Sequence, residues 1–461
     1  ETDALLERHE DFISNCKQLK SVFVMTGDKR HTLFNNLYSY LDILKDRSYT
    51  TKNVEDFLEV GQGITPENLL TIIYTSGTTG TPKGVMLSHK NIVENTLVSA
   101  KALDFEAHKY KVLSYLPICH IFERFALYYY QMMGFEIYFA ESIDKLGDNL
   151  KEVQPHFIPV VPRLLEKIYD KIADKGSQLK GLKRLLFYWS IDLGKRYEPY
   201  QKNGWWYHFQ LNIAKKLVFS KWREALGGNI KFLVSGSAPL QPILIKLFTA
   251  AGIPIYEGYG MTETSPGISI NDFRNNGFKI GTVGKALDGI LIKIAEDGEI
   301  LVKGSNVMLG YYKNEKLTKQ TIQNEYLHTG DIGIIDEEGF LKITDRKKEI
   351  FKTSGGKYIA PAVLEGKLKE SRFIEQVMVI GESEKMPASI IQPHFDFLTE
   401  WAKLKNIKSD GSYSSIISNK KVLKRIQKEI NKANKSFGKW EQIKAFELTP
   451  DIWSIENGLL T

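Results

Sequence analysis

The run Leu69-Leu-Thr-Ile-Ile-Tyr74 is followed by a Ser/Thr/Gly stretch and then, from Lys90 to Leu103, by residues of helical composition. This predicts a buried strand, a loop and a helix in succession. The same texture recurs along the chain. Val112 to Leu116, Phe135 to Ala140 and His156 to Val161 read as strands, the last running into a helix from Arg163, and Lys231 to Val234 precedes a helix from Gln241. Strands alternating with helices predict a mainly parallel, doubly wound sheet. Upstream, residues 1 to 60 are weakly periodic, with Ser21-Val-Phe-Val-Met25 as one candidate strand.

After Gly277 the period shortens. Ile290-Leu-Ile-Lys-Ile-Ala-Glu-Asp-Gly298-Glu-Ile-Leu-Val-Lys303 has the form of two alternating strands around a turn. A β-rich subdomain is expected over about 278–344. Beyond the charged run Asp345-Arg-Lys-Lys-Glu-Ile350, helices (Ala360 to Glu370, Asn419 to Ser436) mix with strands (Gln376 to Ile380, Ala388 to Gln392). The fold class expected is α/β: a large domain over 1–344, a link at 345–350, and a small α+β domain over 351–461.

At 461 residues the chain is too long for one core, and 43% hydrophobic with 25% charged residues is ordinary globular composition. Sixty-two Lys/Arg against 55 Asp/Glu leave a net charge of +7. Residues 345–461 hold 21 Lys/Arg against 15 Asp/Glu, so much of the excess lies in the small domain. Nothing beyond that charge points to nucleic acid. Cys16 and Cys119 are too few for a disulfide framework or a metal cluster, which suits a reducing, cytoplasmic setting. The most apolar stretch, Phe125 to Ala140, is interrupted by Gln131, Gly134 and Glu136 and is too short to span a bilayer. Position 1 is Glu and no charged-then-apolar leader follows it, which reads as a segment of a longer chain.

The strongest chemical signal is Tyr74-Thr-Ser-Gly-Thr-Thr-Gly-Thr-Pro-Lys-Gly84. Its glycines let backbone approach an anion, the hydroxyls of Thr75, Ser76, Thr78 and Thr79 add donors, and Lys83 adds charge. It is a phosphate cradle. Gly84 after Lys83, where a Walker A loop needs Ser or Thr, excludes that motif.

This loop resembles the signature of the AMP-forming acyl-adenylate ligases, the superfamily of acyl-CoA synthetases, luciferases and peptide-synthetase adenylation domains. Further stretches resemble the family's motifs in order: Leu116-Pro117 with His120, Gly236-Ser-Ala-Pro239, Tyr256-Glu-Gly-Tyr-Gly-Met-Thr-Glu263, His328-Thr-Gly-Asp331 and Asp345-Arg-Lys-Lys-Glu-Ile-Phe-Lys-Thr-Ser-Gly-Gly356. The resemblance runs from about Ile64 to the end of the chain.

It implies ATP, Mg²⁺ and coenzyme A as cosubstrates and cofactor, and it distributes roles. Ser76, Gly77, Thr78, Thr79 and Gly80 would cradle phosphate with Lys83, and Thr75 would lie near the γ-phosphate. Gly236, Ser237, Ala238 and Glu257 line the nucleotide site, and Gly258-Tyr259-Gly260 is expected as a turn covering adenine. Glu263 is the Mg²⁺ ligand, beside Thr262 and with Thr75. Asp331 holds the ribose hydroxyls with Arg346. Lys348 is the hinge about which the small domain turns, and Lys352, Gly355, Gly356 and Tyr358 enter the site for thioester formation. For His120 two readings stand: a packed histidine, or one that orients the acyl carboxylate.

Val161-Pro-Arg-Leu-Leu-Glu-Lys-Ile-Tyr169, the insert through Lys215-Lys-Leu-Val-Phe219, and the Glu456-Asn-Gly ending resemble long-chain fatty acyl-CoA synthetases. The resemblance therefore implies a long-chain fatty acid–CoA ligase. The alternatives are a ligase that passes the acyl group to a carrier protein and a non-catalytic nucleotide-binding relative. In that family a terminal lysine follows a segment like 456–461, so Lys435, Lys439 and Lys444 are not assigned its role. No oligomeric state follows from the sequence. Residues 163–223 carry 14 Lys/Arg against 5 Asp/Glu, interleaved with Leu185-Leu-Phe-Tyr-Trp189, Trp205-Trp-Tyr207 and Trp222. Either this is a helical insert whose aromatics pack on the large domain, or it rests in a lipid interface at the inner membrane face.

Overall fold

The computed structural model describes residues 7–25, 37–45, 51–75, 82–103, 105–407, 409–454 and 457–459. The chain divides into two compact units, 1–66 and 67–461. In the first, strand Val22–Val24 pairs in parallel with Leu37–Ser39, and helices Glu10–Asn15, Tyr40–Lys45 and Thr51–Gln62 complete the described part.

The second unit is organised by a seven-stranded sheet in the order Lys285–Ala286, Gly267–Ile270, Ile255–Gly260, Phe232–Ser235, Phe157–Val160, Lys111–Ser114, Glu136–Phe139. The last five are mutually parallel, and the first two are added antiparallel. Alternate residues of these strands feed opposite layers. Leu113, Ile158 and Leu233 enter one core with Leu193, Leu211, Leu247 and Phe248. Val112, Phe157 and Phe232 enter another with Tyr129, Tyr130 and Phe135. A sheet apolar on both faces must be covered by helices on both, which is the doubly wound arrangement expected.

One expected unit differs. Leu69–Thr75 is followed by a second strand, Lys83–Ser88, which pairs with it antiparallel before the helix His89–Leu103 begins. The Ser/Thr/Gly stretch therefore joins the two strands of a hairpin and does not lead from a strand into a helix. Gly84 makes this pairing tight, since a Cβ there would come within 2.9 Å of Ile72 Cγ2. Nor is the first strand buried as expected: Ile73 is covered, whereas Leu69 and Tyr74 are exposed.

The antiparallel sheet after residue 290 runs Leu291–Ile294, Glu299–Lys303, Tyr326–Ile335, and the far edge of that long strand pairs with both Ile322–Gln323 and Leu341–Arg346. Further on, Ile374–Ile380, Ala388–Pro393 and Ala445–Leu448 form a three-stranded sheet. Helix Lys420–Asn434 places Val422, Ile426, Ile430 and Ala433 on one stripe against it. This core, from Ile359 to Leu448, is separate from those of the large sheet. Across the junction Arg372 Nη2 meets Asp174 Oδ1 at 2.7 Å, and Arg163 pairs with Glu375. No helix among the described residues is long and apolar enough to cross a membrane.

Candidate active site

Thr75 and Lys83 are register partners at the two ends of the hairpin loop. Ser76, Gly77, Thr78, Thr79 and Gly80 lie outside the described residues. The Lys83 ammonium stands 5.6 Å from the centre of the Tyr311 ring. The Tyr311 hydroxyl in turn donates to Glu263 Oε1 at 2.8 Å. Lys83 and Glu263, 180 positions apart in the sequence numbering, are thus joined through a tyrosine that no motif marked. Burial, then the adjacent Glu263 carboxylate, raises the Tyr311 phenol and keeps it a donor.

Glu263 lies in the short 3₁₀ turn Thr262–Thr264 and is 8% exposed. One buried carboxylate beside a threonine hydroxyl is an all-oxygen donor set that suits Mg²⁺ carried on phosphate. The residues present fit that ion.

The glycines before Glu263 do not form the turn expected of them. Ile255–Gly260 is a strand, paired with Gly267–Ile270, and the reversal comes at 261–266. Gly260 is required by close approach, because a Cβ there would lie 1.9 Å from the Pro266 carbonyl oxygen. Tyr259 is partly buried and donates to Asp331 Oδ2 at 2.6 Å. Glu257 is 6% exposed, accepts the Leu240 N–H at 3.2 Å, and is pushed up to about 8 by burial. Gly236 N–H donates to Val160 O, while Ser237 (φ 71°) and Ala238 are exposed in the loop after Phe232–Ser235. These loops lie at the carboxyl ends of parallel strands, where open α/β sheets bind ligands.

Asp331 and Arg346 are partners across antiparallel strands, with Arg346 Nε 3.8 Å from Asp331 Oδ1. Burial raises the Asp331 carboxyl, and Tyr259 and Arg346 partly offset it. Beside them is a cluster absent from the sequence reading. Glu299 is buried, accepts the Gly330 N–H at 2.9 Å and Lys347 Nζ at 2.8 Å, and lies 3.0 Å from His328 Nδ1. Burial pushes its carboxyl up, but Lys347, His328 and Gly330 together hold it below its ordinary range. Lys347 also pairs with Asp297 at 2.6 Å, and its N–H donates to Gly330 O. The basic run is therefore fastened to the β-rich sheet immediately before Lys348, which is exposed. Asp345, just ahead of it, is buried and accepts the Ala362 N–H from helix Pro361–Leu368.

Lys352 and Tyr358 face each other in the hairpin Phe351–Lys352/Tyr358–Ile359, the ammonium 5.3 Å from the ring centre, with Gly355 and Gly356 exposed between them. Ser383 N–H and Glu384 O bond this hairpin to its own domain. His120 is exposed at the N-terminus of helix Ile121–Met133, so the packed-histidine reading does not hold. The buried carboxyl of that helix is Glu123, which accepts Ser114 Oγ–H at 2.5 Å and is pushed up to about 6 by burial.

A doubly wound sheet with loops at the carboxyl ends of its parallel strands is the frame of a nucleotide-binding fold. The chain belongs to the AMP-binding enzyme family, whose profile matches residues 16–312, beginning well before Ile64. It is 36% identical over 417 residues to long-chain-fatty-acid–CoA ligase 1 of Homo sapiens, covering 86% of this chain and 58% of the relative. It is 36% identical over 400 residues to long-chain-fatty-acid–CoA ligase FadD15 of Mycobacterium bovis, covering 85% and 65%. The chain thus spans less than two thirds of these relatives' length. Among solved structures, the fold is similar to O-succinylbenzoate coenzyme A synthetase (MenE) of Bacillus subtilis in complex with AMP. The TM-score is 0.59 at 22% identity, over 90% of this chain and 75% of that one. An ATP-bound RpMatB-BxBclM chimera gives a TM-score of 0.60 at 22% identity, over 84% and 65%.

Proposed function

We propose that this chain carries the catalytic core of a long-chain fatty acid–CoA ligase working through an acyl-adenylate. The observation that carries the reading is the Lys83–Tyr311–Glu263 series at the mouth of the glycine-rich loop. It brings together a cation that would meet phosphate and a buried carboxylate that would hold a metal, in a chain 35–37% identical to ligases of that name.

The problem the site must solve is the attack of one anion on another. Lys83 and the 76–80 loop would hold the triphosphate, and Asp331 with Arg346 the ribose, while Tyr259 fixes Asp331. Gly236 to Ala238 and Glu257 to Gly260 would border the base. The chemistry supplied by a bound Mg²⁺, on Glu263 and near Thr75, is neutralisation of phosphate charge. His120 would orient the acyl carboxylate, whose oxygen attacks the α-phosphorus as pyrophosphate leaves. The small domain then turns about Lys348, bringing Lys352, Gly355, Gly356 and Tyr358 to the site. The coenzyme A thiol, losing its proton, attacks the acyl carbon of the mixed anhydride, and AMP leaves. The setting proposed is the cytoplasm, with peripheral contact at the inner membrane face.

The test is acid-dependent ATP–pyrophosphate exchange by the full-length protein over fatty acids of increasing chain length, followed by thioester assays with coenzyme A and with a holo-carrier protein. Exchange restricted to long-chain acids, with thioester formed on coenzyme A, is expected. Glu263→Gln should lower exchange about 100-fold or more, as for loss of a charge-stabilising group. Absence of exchange with any fatty acid would overturn the reading.

A further inference from the structure

Helix Gly204–Leu217 carries apolar residues on both of its faces. Tyr207, Leu211 and Ala214 are buried toward helix Gly181–Lys195, and the Tyr207 hydroxyl donates to Leu193 O at 2.7 Å. That is an ordinary core face, and it satisfies the helix. Yet Trp205, Trp206, Phe209, Ile213 and Leu217, spaced three and four apart along the other side, are all exposed, Trp205 to 78%. The neighbouring helix adds Leu185, 69% exposed. The expectation that the insert's aromatics pack on the large domain holds for Trp222 and Phe187 and fails here. Trp206 and Phe209 stack on each other, with ring centres 5.5 Å apart at 17°, and so make one continuous surface. Contiguous apolar surface of this kind marks a contact site.

The charge around it selects the partner. Residues 180–216 contain eight Lys/Arg and two Asp/Glu, and of those two, Glu198 is already paired with Lys246. A second copy of the same face would bring like charges together, which disfavours self-pairing. An anionic surface is the complement. Exposed tryptophans on a helix face beside lysine and arginine are the composition of an element lying in the headgroup layer of a bilayer.

We infer that helix Gly204–Leu217, with the outward side of Gly181–Lys195, docks the enzyme on membranes containing anionic lipid. The inference stands on surface residues alone and does not require the ligase reading, since binding is measured without ATP or fatty acid.

The experiment is co-sedimentation of the full-length protein with phosphatidylcholine vesicles, with and without phosphatidylglycerol, in low and high salt. Two variants accompany it: Trp205→Ser/Trp206→Ser/Phe209→Ser, and Lys183→Glu/Arg184→Glu/Lys216→Glu. All six side chains are exposed, so the thermal midpoint of each variant should match the wild type. The wild type should bind phosphatidylglycerol vesicles in low salt and release in high salt. The aromatic variant should bind about tenfold more weakly or worse, and the charge variant should lose its preference for phosphatidylglycerol. A wild type that stays in solution with every vesicle overturns the inference. So does equal binding by wild type and both variants, or a dimer that the aromatic variant dissociates while lipid binding stays unchanged.

Discussion

Tyr311 donates to Glu263 Oε1 at 2.8 Å while its ring lies beneath the Lys83 ammonium, so one side chain spaces the cation and the carboxylate of the proposed phosphate site. A hydrogen bond to a charged group contributes about 1.5–3 kcal/mol. Its use here is to hold the carboxylate in one rotamer.

Tyr311→Phe should therefore raise the Mg²⁺ concentration needed for half-maximal pyrophosphate exchange and lower the rate about tenfold. The drop in stability should be about 1.5–3 kcal/mol. An unchanged Mg²⁺ requirement with a large loss of thermal midpoint would mark Tyr311 as a packing residue only.

Glu257 gives a pH dependence with a definite sign. Burial pushes its carboxyl up to about 8, from an ordinary value of 4.5. The folded protein then binds a proton that the unfolded chain releases, so stability is highest at low pH and is lost as pH rises from 4.5 through about 8. Glu257→Gln, which keeps an oxygen for the Leu240 N–H, should remove a change on the order of 5 kcal/mol across the interval. Denaturant unfolding at a series of pH values checks it. Parallel curves for the two proteins would show that Glu257 ionises normally.

Gly260→Ala should destabilise the protein by about 3 kcal/mol or more, because the added methyl meets a backbone carbonyl and not a movable side chain. A soluble, normally stable Gly260→Ala protein would mean that the 261–266 reversal moves freely.

Arg372 and Asp174 tie the small domain to helix Pro162–Ser177 at 2.7 Å. Asp174 is exposed and Arg372 partly so, and such pairs contribute less than about 1 kcal/mol. Arg372→Ala should leave the thermal midpoint within a degree or two of the wild type, about what so small a free energy moves in a protein this size. It should nonetheless speed tryptic cleavage at Lys347 and Lys348, as the small domain leaves this orientation more often. Cleavage at the wild-type rate would show that the pair does not hold the domain.

What the sequence could disclose follows from how local each signal is. Leu113, Ile158 and Leu233 sit in short apolar runs, so the strands and their two-sided burial were legible. The proposed site's motif residues were legible because each lies in a contiguous stretch. Tyr311 was not, since its partner is 48 positions away and its neighbours Gly310 and Tyr312 spell no motif. Glu299 was hidden likewise: Gly330 and Lys347 reach it from 31 and 48 positions away. The strand Lys83–Ser88 was missed because Pro82 and Gly84 are turn residues by composition, and only packing against Ile72 explains a glycine within a strand. Composition marked residues 163–223 as a helical insert or an interfacial segment but gave neither the bounds of helix Gly204–Leu217 nor which of its faces is covered.

Lys347 is pinned by its N–H to Gly330 and by its ammonium to Asp297 and Glu299, and Asp345 reaches over it to the Ala362 N–H. A swing about the next residue, Lys348, would leave the first set seated and would have to release the second. In the proposed rotation the joint would be a pivot with a catch: its post would stay bolted to the sheet, and each departure of residues 351–461 would begin with the Asp345–Ala362 bond and the Arg372–Asp174 and Arg163–Glu375 pairs letting go. Such a joint would give the proposed rotation one seated starting point, from which free play is small until those bonds break.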